Sequence, residues 1–168
     1  MRKPHGPIRE YPHRLPRDCY RGQVTAVFTG CVEQRRPLFH DALVVQTSID
    51  RLERSSKKHN CKVLIYCFMP DHFHLIVRGC APDADTWKTL VDFKQLLGFW
   101  LATHRPEYRC QKDFHDHLIR ADEDLVAQIC YIAENPVRRG LVGTWRDYAH
   151  TGAIGSDLDA ILADTATS

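Results

Sequence analysis

A membrane span, a leader peptide, a disulfide framework and a repeat are all missing from this sequence. No run in its 168 residues reaches the ~18 apolar positions that a helix needs to cross a bilayer, so no membrane association is expected. The opening MRKPHGPIREYPHRLPRD is too polar for a signal peptide. The seven cysteines, at 19, 31, 61, 67, 80, 110 and 130, are odd in number and include no CxxC pair. They read as scattered reduced thiols rather than a disulfide scaffold or zinc knuckle, which places the chain in a cytoplasm. No internal repeat or low-complexity tract occurs, and at this length one domain with a real core is expected.

A strong charge excess is missing too. The formal net charge of +2 says little about partners, but its distribution says more. Residues 1–18 hold five Lys/Arg against two acids, with four prolines, while residues 156–168 hold three Asp and no Lys or Arg. The expected division is a basic, irregular head (1–18), a folded domain (19–150) and an acidic tail (151–168). Such a head can meet phosphate; a solvated head explains its charges equally well.

What is present is a series of clear element signals. YRGQVTAVFTGCV (20–32) is rich in Val, Thr and aromatics and reads as a strand. Residues 41–58 read as a helix with Asp41 as N-cap and Leu43, Val44, Thr47 and Leu52 along one face. CKVLIYCFM (61–69) and HFHLIVRG (72–79) read as strands joined by a Pro70-Asp71 turn, hence a hairpin. Residues 84–104 form a second helix with Leu90, Phe93, Leu97 and Leu101 inward. Residues 107–120 are ambiguous, a loop leading to a short strand. Residues 122–134 form a third helix opened by acids, with Leu125, Ile129 and Ile132 inward, and Asn135-Pro136 ends or kinks it. Beyond Leu141-Val142 the chain reads as irregular. The order strand, helix, strand, strand, helix, helix predicts an α+β domain, an antiparallel sheet covered by helices and close to a ferredoxin-like arrangement.

Two places carry candidate chemistry. Residues two apart on a strand share a face, so His72 and His74 project side by side, a two-point metal site in need of a third ligand. Ordinary strand histidines show the same pattern. On the third helix, Tyr131 and Asn135 are spaced i, i+4 on the polar side. A phenol there is a nucleophile toward phosphorus and Asn135 an oxygen ligand, or else the pair is a half-buried aromatic and a helix terminator.

MPDHFHLIV (69–77), DHLIR (116–120) followed by acids, and YIAENPVRRGLV (131–142) together resemble, in order and spacing, the motifs of the HUH-superfamily single-tyrosine transposases, especially their REP-associated branch. The resemblance runs from about residue 20 to about 150. Phe114-His115 departs from it, since relatives commonly carry aromatics at both positions. The resemblance implies a ferredoxin-like HUH endonuclease fold and a metal-dependent nuclease and strand transferase acting on single-stranded DNA, often beside a hairpin. Carried over by position, Tyr131 is the nucleophile that forms a 5′-phosphotyrosine, and His72, His74 and Asn135 hold Mg²⁺ or Mn²⁺. Glu134 is the alternative third ligand, a harder donor on a face less aligned with the tyrosine. Arg138, Arg139, Arg120 and Lys94 are the expected DNA contacts, with Trp100, Trp145 and Tyr148 as stacking candidates. His117 is a candidate base or a structural histidine. In some relatives the tyrosine helix serves a partner subunit, so a homodimer is a possible assembly. The competing readings are a domesticated binder of structured repeat DNA that does not cut, and an unrelated metal hydrolase that would leave Tyr131 unexplained.

Overall fold

In the computed structural model, residues 14–121 and 123–163 are described. Five strands, β1 (Thr25–Val32), β2 (Cys61–Met69), β3 (His72–Gly79), β4 (Cys110–Leu118) and β5 (Thr151–Ile154), form one sheet in the order β4-β1-β3-β2-β5. Every neighbouring pair is antiparallel. The helices are α1 (Ala42–Lys58), α2 (Thr86–His104), α3 (Leu125–Ala133), α4 (Asn135–Arg138) and α5 (Leu158–Ala163). The β1-α1-β2-β3-α2-β4 portion, with strand order 4-1-3-2, is the expected ferredoxin-like arrangement.

Alternation along the strands sorts two cores, one per sheet face. Ala26, Phe28, Phe73, Leu75 and Val77 join Val44, Leu52, Leu90, Phe93 and Leu97 beneath α1 and α2. Ile65, Cys67, Met69 and Ile76 meet Ile129 and Ile132 of α3 and Leu158 and Leu162 of α5 on the other face. β2 serves both cores through a register shift between Val63 and Ile65, a bulge that turns Leu64 and Ile65 alike toward α3. Gly30 is directly opposite Phe73, and a Cβ there would collide with the Cζ at the tip of the phenyl ring. Its bare backbone lets Phe73 lie flat across β1.

Local chemistry explains the helix ends. The Asp41 carboxylate accepts the amides of Leu43 and Val44, and Asp85 and Asp124 cap α2 and α3 in the same way. The first helix matches expectation except at Leu43, which is 55% exposed while its neighbours Val44 and Val45 are buried. The first strand starts at Thr25, because Arg17–Tyr20 close into a 3-10 turn. The ambiguous segment contains a nine-residue strand, Cys110–Leu118, at the sheet edge. Its polar residues face outward and obscure the alternation.

Residues 151–163, expected as part of an irregular acidic tail, belong to the fold. Thr151–Ile154 pair with β2, and α5 buries Leu158 and Leu162. Four intermediate residues and two buried leucines leave almost no periodic signal; pairing with β2 orders the strand and packing against α3 orders the helix. Of the basic head, 1–13 lie outside the described residues. Arg14 is fixed by bonds to Asp116 and to the Phe114 carbonyl. No helix among the described residues is long and apolar enough to cross a membrane.

Candidate active site

β3 emerges from the hairpin turn with His72 and His74 on the α3 side of the sheet, because Phe73 and Leu75 are claimed by the opposite core. The two imidazoles stand 4.9 Å apart between centroids, nearly perpendicular. His72 is 5% exposed. Its Nδ1 lies 2.7 Å from Asp71 Oδ1. His74 faces Thr29 across the β1–β3 ladder, with its Nδ1 3.0 Å from the threonine Oγ1. Each ring thus has Nδ1 engaged by a neighbouring oxygen; the Asp71 carboxylate can only accept, which favours the His72 tautomer whose Nε2 lone pair is unused, and the Thr29 hydroxyl supports the same tautomer of His74 when it accepts.

Electrostatics keep both rings neutral. Burial lowers the His72 pKa, outweighing the opposing pull of Asp71, and Arg35 and Arg139 lower it further. Burial, then the adjacent His72 and then Arg138, Arg139 and Arg35, brings His74 down to about 4. Asp71 remains below the usual carboxylate range. Burial opposes this, but its bonds to His72 and Arg35 prevail. Arg35 donates from Nε to Asp71 Oδ2 at 2.8 Å and from Nη1 to Cys31 Sγ at 2.9 Å. It reaches both from a left-handed backbone, φ 54°, a conformation non-glycine residues rarely adopt.

The donor set fits a divalent ion. Two neutral imidazoles with free Nε2 atoms, each oriented from behind, are the ligand chemistry such a site requires. His72 and His74 would hold the ion. Glu134 is exposed, and among the described residues no three His, Cys, Asp or Glu side chains converge as a metal-holding group. Its carboxylate therefore does not complete the pair in this arrangement. Asn135 is buried, 9% exposed, and its side-chain amide makes no hydrogen bond among the described residues.

The expectation that Tyr131 and Asn135 share one polar face needs correction. Tyr131 is 64% exposed whereas Asn135 is buried, and the helix breaks at Glu134 between α3 and α4. Pro136 lacks an N–H and cannot extend the ladder of α3. After the break, Arg138 folds back over the tyrosine. Its guanidinium lies 3.9 Å from the Tyr131 ring centroid, and its Nη2 donates to the Tyr131 carbonyl at 2.7 Å. Arg138, which covers the Tyr131 ring, and its neighbour Arg139 also lower the His74 pKa.

The remaining expected contacts separate. Arg120, Arg138 and Arg139 are exposed. Lys94 belongs to α2 on the opposite sheet face, where its ammonium donates to the Gln111 and Lys112 carbonyls and covers the Phe114 ring. It ties α2 to β4 and is not part of this site. Tyr148 donates its hydroxyl to the Phe68 carbonyl, and Trp100 stacks on His104. His117 pairs with Glu123 at 2.7 Å, and Glu123 also accepts from Gln128 of α3. Thr29, Arg35 and Asp71 were not anticipated. Asp71 was adjacent to a ligand in sequence; Thr29 is brought in only by strand register.

Residues 21–118 match the family model described as transposase IS200-like. The chain belongs to the IS200-like transposase family. A Haemophilus influenzae protein named as a REP-associated tyrosine transposase is 29% identical over 114 residues, covering 58% of this chain and 65% of that protein; the match thus spans just under two thirds of the relative. The structure of a REP-associated tyrosine transposase bound to a REP hairpin superposes with a TM-score of 0.70 at 22% identity, over 86% of this chain and 82% of that one. That likeness shows the α+β fold. The family match includes His72 and His74 and stops before Tyr131 and Asn135.

Proposed function

We propose that this IS200-like transposase cleaves and rejoins single-stranded DNA at or beside hairpin repeats, using Tyr131 as nucleophile and a divalent ion, Mg²⁺ or Mn²⁺, at His72 and His74. The observation that carries the reading is the pair of neutral imidazoles with both Nδ1 atoms engaged and both Nε2 atoms free. Asn135 is the third ligand in this proposal, supported by its burial beside the break and its unengaged amide. Imidazole donors favour Mn²⁺ over Mg²⁺. The bound ion supplies Lewis-acid polarisation of a nonbridging phosphate oxygen and a template for the scissile group.

The chain's own groups supply the rest. Tyr131 Oη forms a bond to phosphorus as the bond from phosphorus to the 3′ oxygen breaks, leaving a 5′-phosphotyrosine and a free 3′-hydroxyl. The phenol proton passes to solvent, which reaches this exposed side chain, and the departing 3′ oxygen takes up a proton. The ester conserves the bond energy, so a second 3′-hydroxyl can reverse the step without ATP. Arg138 and Arg139 hold phosphates beside the reacting group.

Hairpin-bearing single-stranded DNA incubated with Mn²⁺ tests the reading. A covalent protein–DNA adduct is expected with wild type and is absent with Tyr131→Phe, which still binds. Cleavage that survives Tyr131→Phe would sink the tyrosine mechanism. Binding without cleavage by wild type in any divalent metal would make the chain a non-cutting binder of structured DNA.

A further inference from the structure

A second cavity, of about 460 Å³, opens on the same sheet face as the histidine pair, beside the first turns of α3 and away from Tyr131. Its floor carries Lys62 and Arg78, direct cross-strand neighbours in the β2–β3 hairpin. Two like charges placed opposite each other on a ladder destabilise it. Neither side chain makes an ion pair or a hydrogen bond among the described residues. The carboxylate at the cavity, Asp157, is engaged in accepting the Ala160 amide at the start of α5.

Two further features point to a ligand. Ser156, in the cavity lining, has a buried hydroxyl with no hydrogen-bond partner, a costly condition unless an acceptor or donor arrives. The opposite wall is apolar, formed by Leu125 and Val126 of α3 and Ile161 of α5. Gly155 closes the lip at φ 73°, with its position tight against Lys62 Cβ, so the loop presses close to the cationic floor. Cations on one side and an apolar wall on the other suit a phosphate joined to a flat, weakly polar ring.

We propose that this cavity binds a nucleotide of the single-stranded DNA flanking the cleavage site, with its phosphodiester on Lys62 and Arg78 and its base against Leu125, Val126 and Ile161. The inference rests on the function proposed above. Strand geometry supports the connection. His74, Ile76 and Arg78 alternate onto one face, and four residues of strand span about 13 Å, a distance one DNA strand can bridge. The cavity would then fix which phosphate reaches the histidines, by holding its neighbours at a set distance.

Fluorescence anisotropy with hairpin oligonucleotides carrying single-stranded flanks of increasing length tests this on the whole chain. Wild-type affinity is expected to rise once the flank reaches the cavity. The Lys62→Gln/Arg78→Gln double variant should lose about ten-fold on the long flanks and match wild type on the shortest. Its slope of log affinity against log salt should fall by about 0.7, the value for loss of one phosphate contact on a single strand. Val126→Glu, which adds a carboxylate to the wall without touching either cation, should weaken long-flank binding as well. Equal affinity and equal slope for wild type and double variant at every flank length would overturn the inference and leave the proposed function intact. Displacement by thymidine monophosphate with no dependence on flank length would also overturn it, in favour of a free nucleotide. Failure of wild type to bind any of these DNAs would overturn both readings together.

Discussion

Asp71 and His72, adjacent in the chain, are joined by a 2.7 Å contact from carboxylate Oδ1 to ring Nδ1. The carboxylate is held in turn by Arg35. This fixes which nitrogen of His72 carries its proton and which way the ring faces. Removing such an orienting partner typically weakens metal binding 10–100-fold. Asp71→Ala should therefore lower Mn²⁺ affinity by about that factor, and Asp71→Asn, which retains an acceptor, by less. Calorimetric titration of Mn²⁺ in the absence of DNA measures it. Unchanged affinity in Asp71→Ala would show that the contact does not serve the metal site.

The His74 environment makes a prediction about acid. A free imidazole titrates near 6.5, whereas burial and the neighbouring cations bring folded His74 down to about 4. Folding therefore favours the neutral ring. The stability this contributes is complete above about pH 6.5 and is lost as pH falls toward 4, where the folded ring also takes a proton. Metal-free protein should show a falling melting temperature across that window, and His74→Asn should flatten the profile. An identical pH dependence in wild type and His74→Asn would refute the assignment.

Arg138 covers Tyr131 at the surface, where a cation over an aromatic ring contributes about 0.5–1 kcal/mol. Arg138→Ala should barely move the melting temperature. Its effect should appear in DNA binding, with the salt slope falling by about 0.7 for the loss of one phosphate contact. Lys94→Gln gives the opposite pattern. It should leave the salt slope unchanged and lower thermal stability, because that ammonium bonds two β4-segment carbonyls on the far face of the sheet.

Gly30 connects core packing to the site. Gly30→Ala would drive a methyl into the Phe73 ring, and overpacking of this kind costs about 1–3 kcal/mol. Phe73 lies between the two candidate ligands, so the variant should lose both thermal stability and Mn²⁺ affinity. Thermal melts with and without Mn²⁺ check both. A variant as stable as wild type would mean that the ring moves aside freely.

The hairpin, the first two long helices and the ferredoxin-like order were legible in the sequence, because their signals are local. β2 and β3 are apolar runs bounded by a Pro-Asp turn, and α1 and α2 carry acidic caps and periodic apolar faces. The histidine pair was legible for the same reason, since a period of two places His72 and His74 together whatever else the chain does. Tertiary structure decided the rest. Thr29 meets His74 only because β1 lies beside β3 in one register, and a shift of one residue would turn it to the other face. β4, β5 and α5 are too polar or too short to announce themselves and are ordered by pairing and packing. Lys94, on the second helix, and Arg138, just after the third, looked alike as cations available to DNA. The sheet put one on each face, and the break at Glu134 turned Arg138 back onto Tyr131 while Asn135 became buried. Residue type and local spacing determined which groups were available for chemistry; which of them face one another depended on non-local pairing, which no short stretch of sequence encodes.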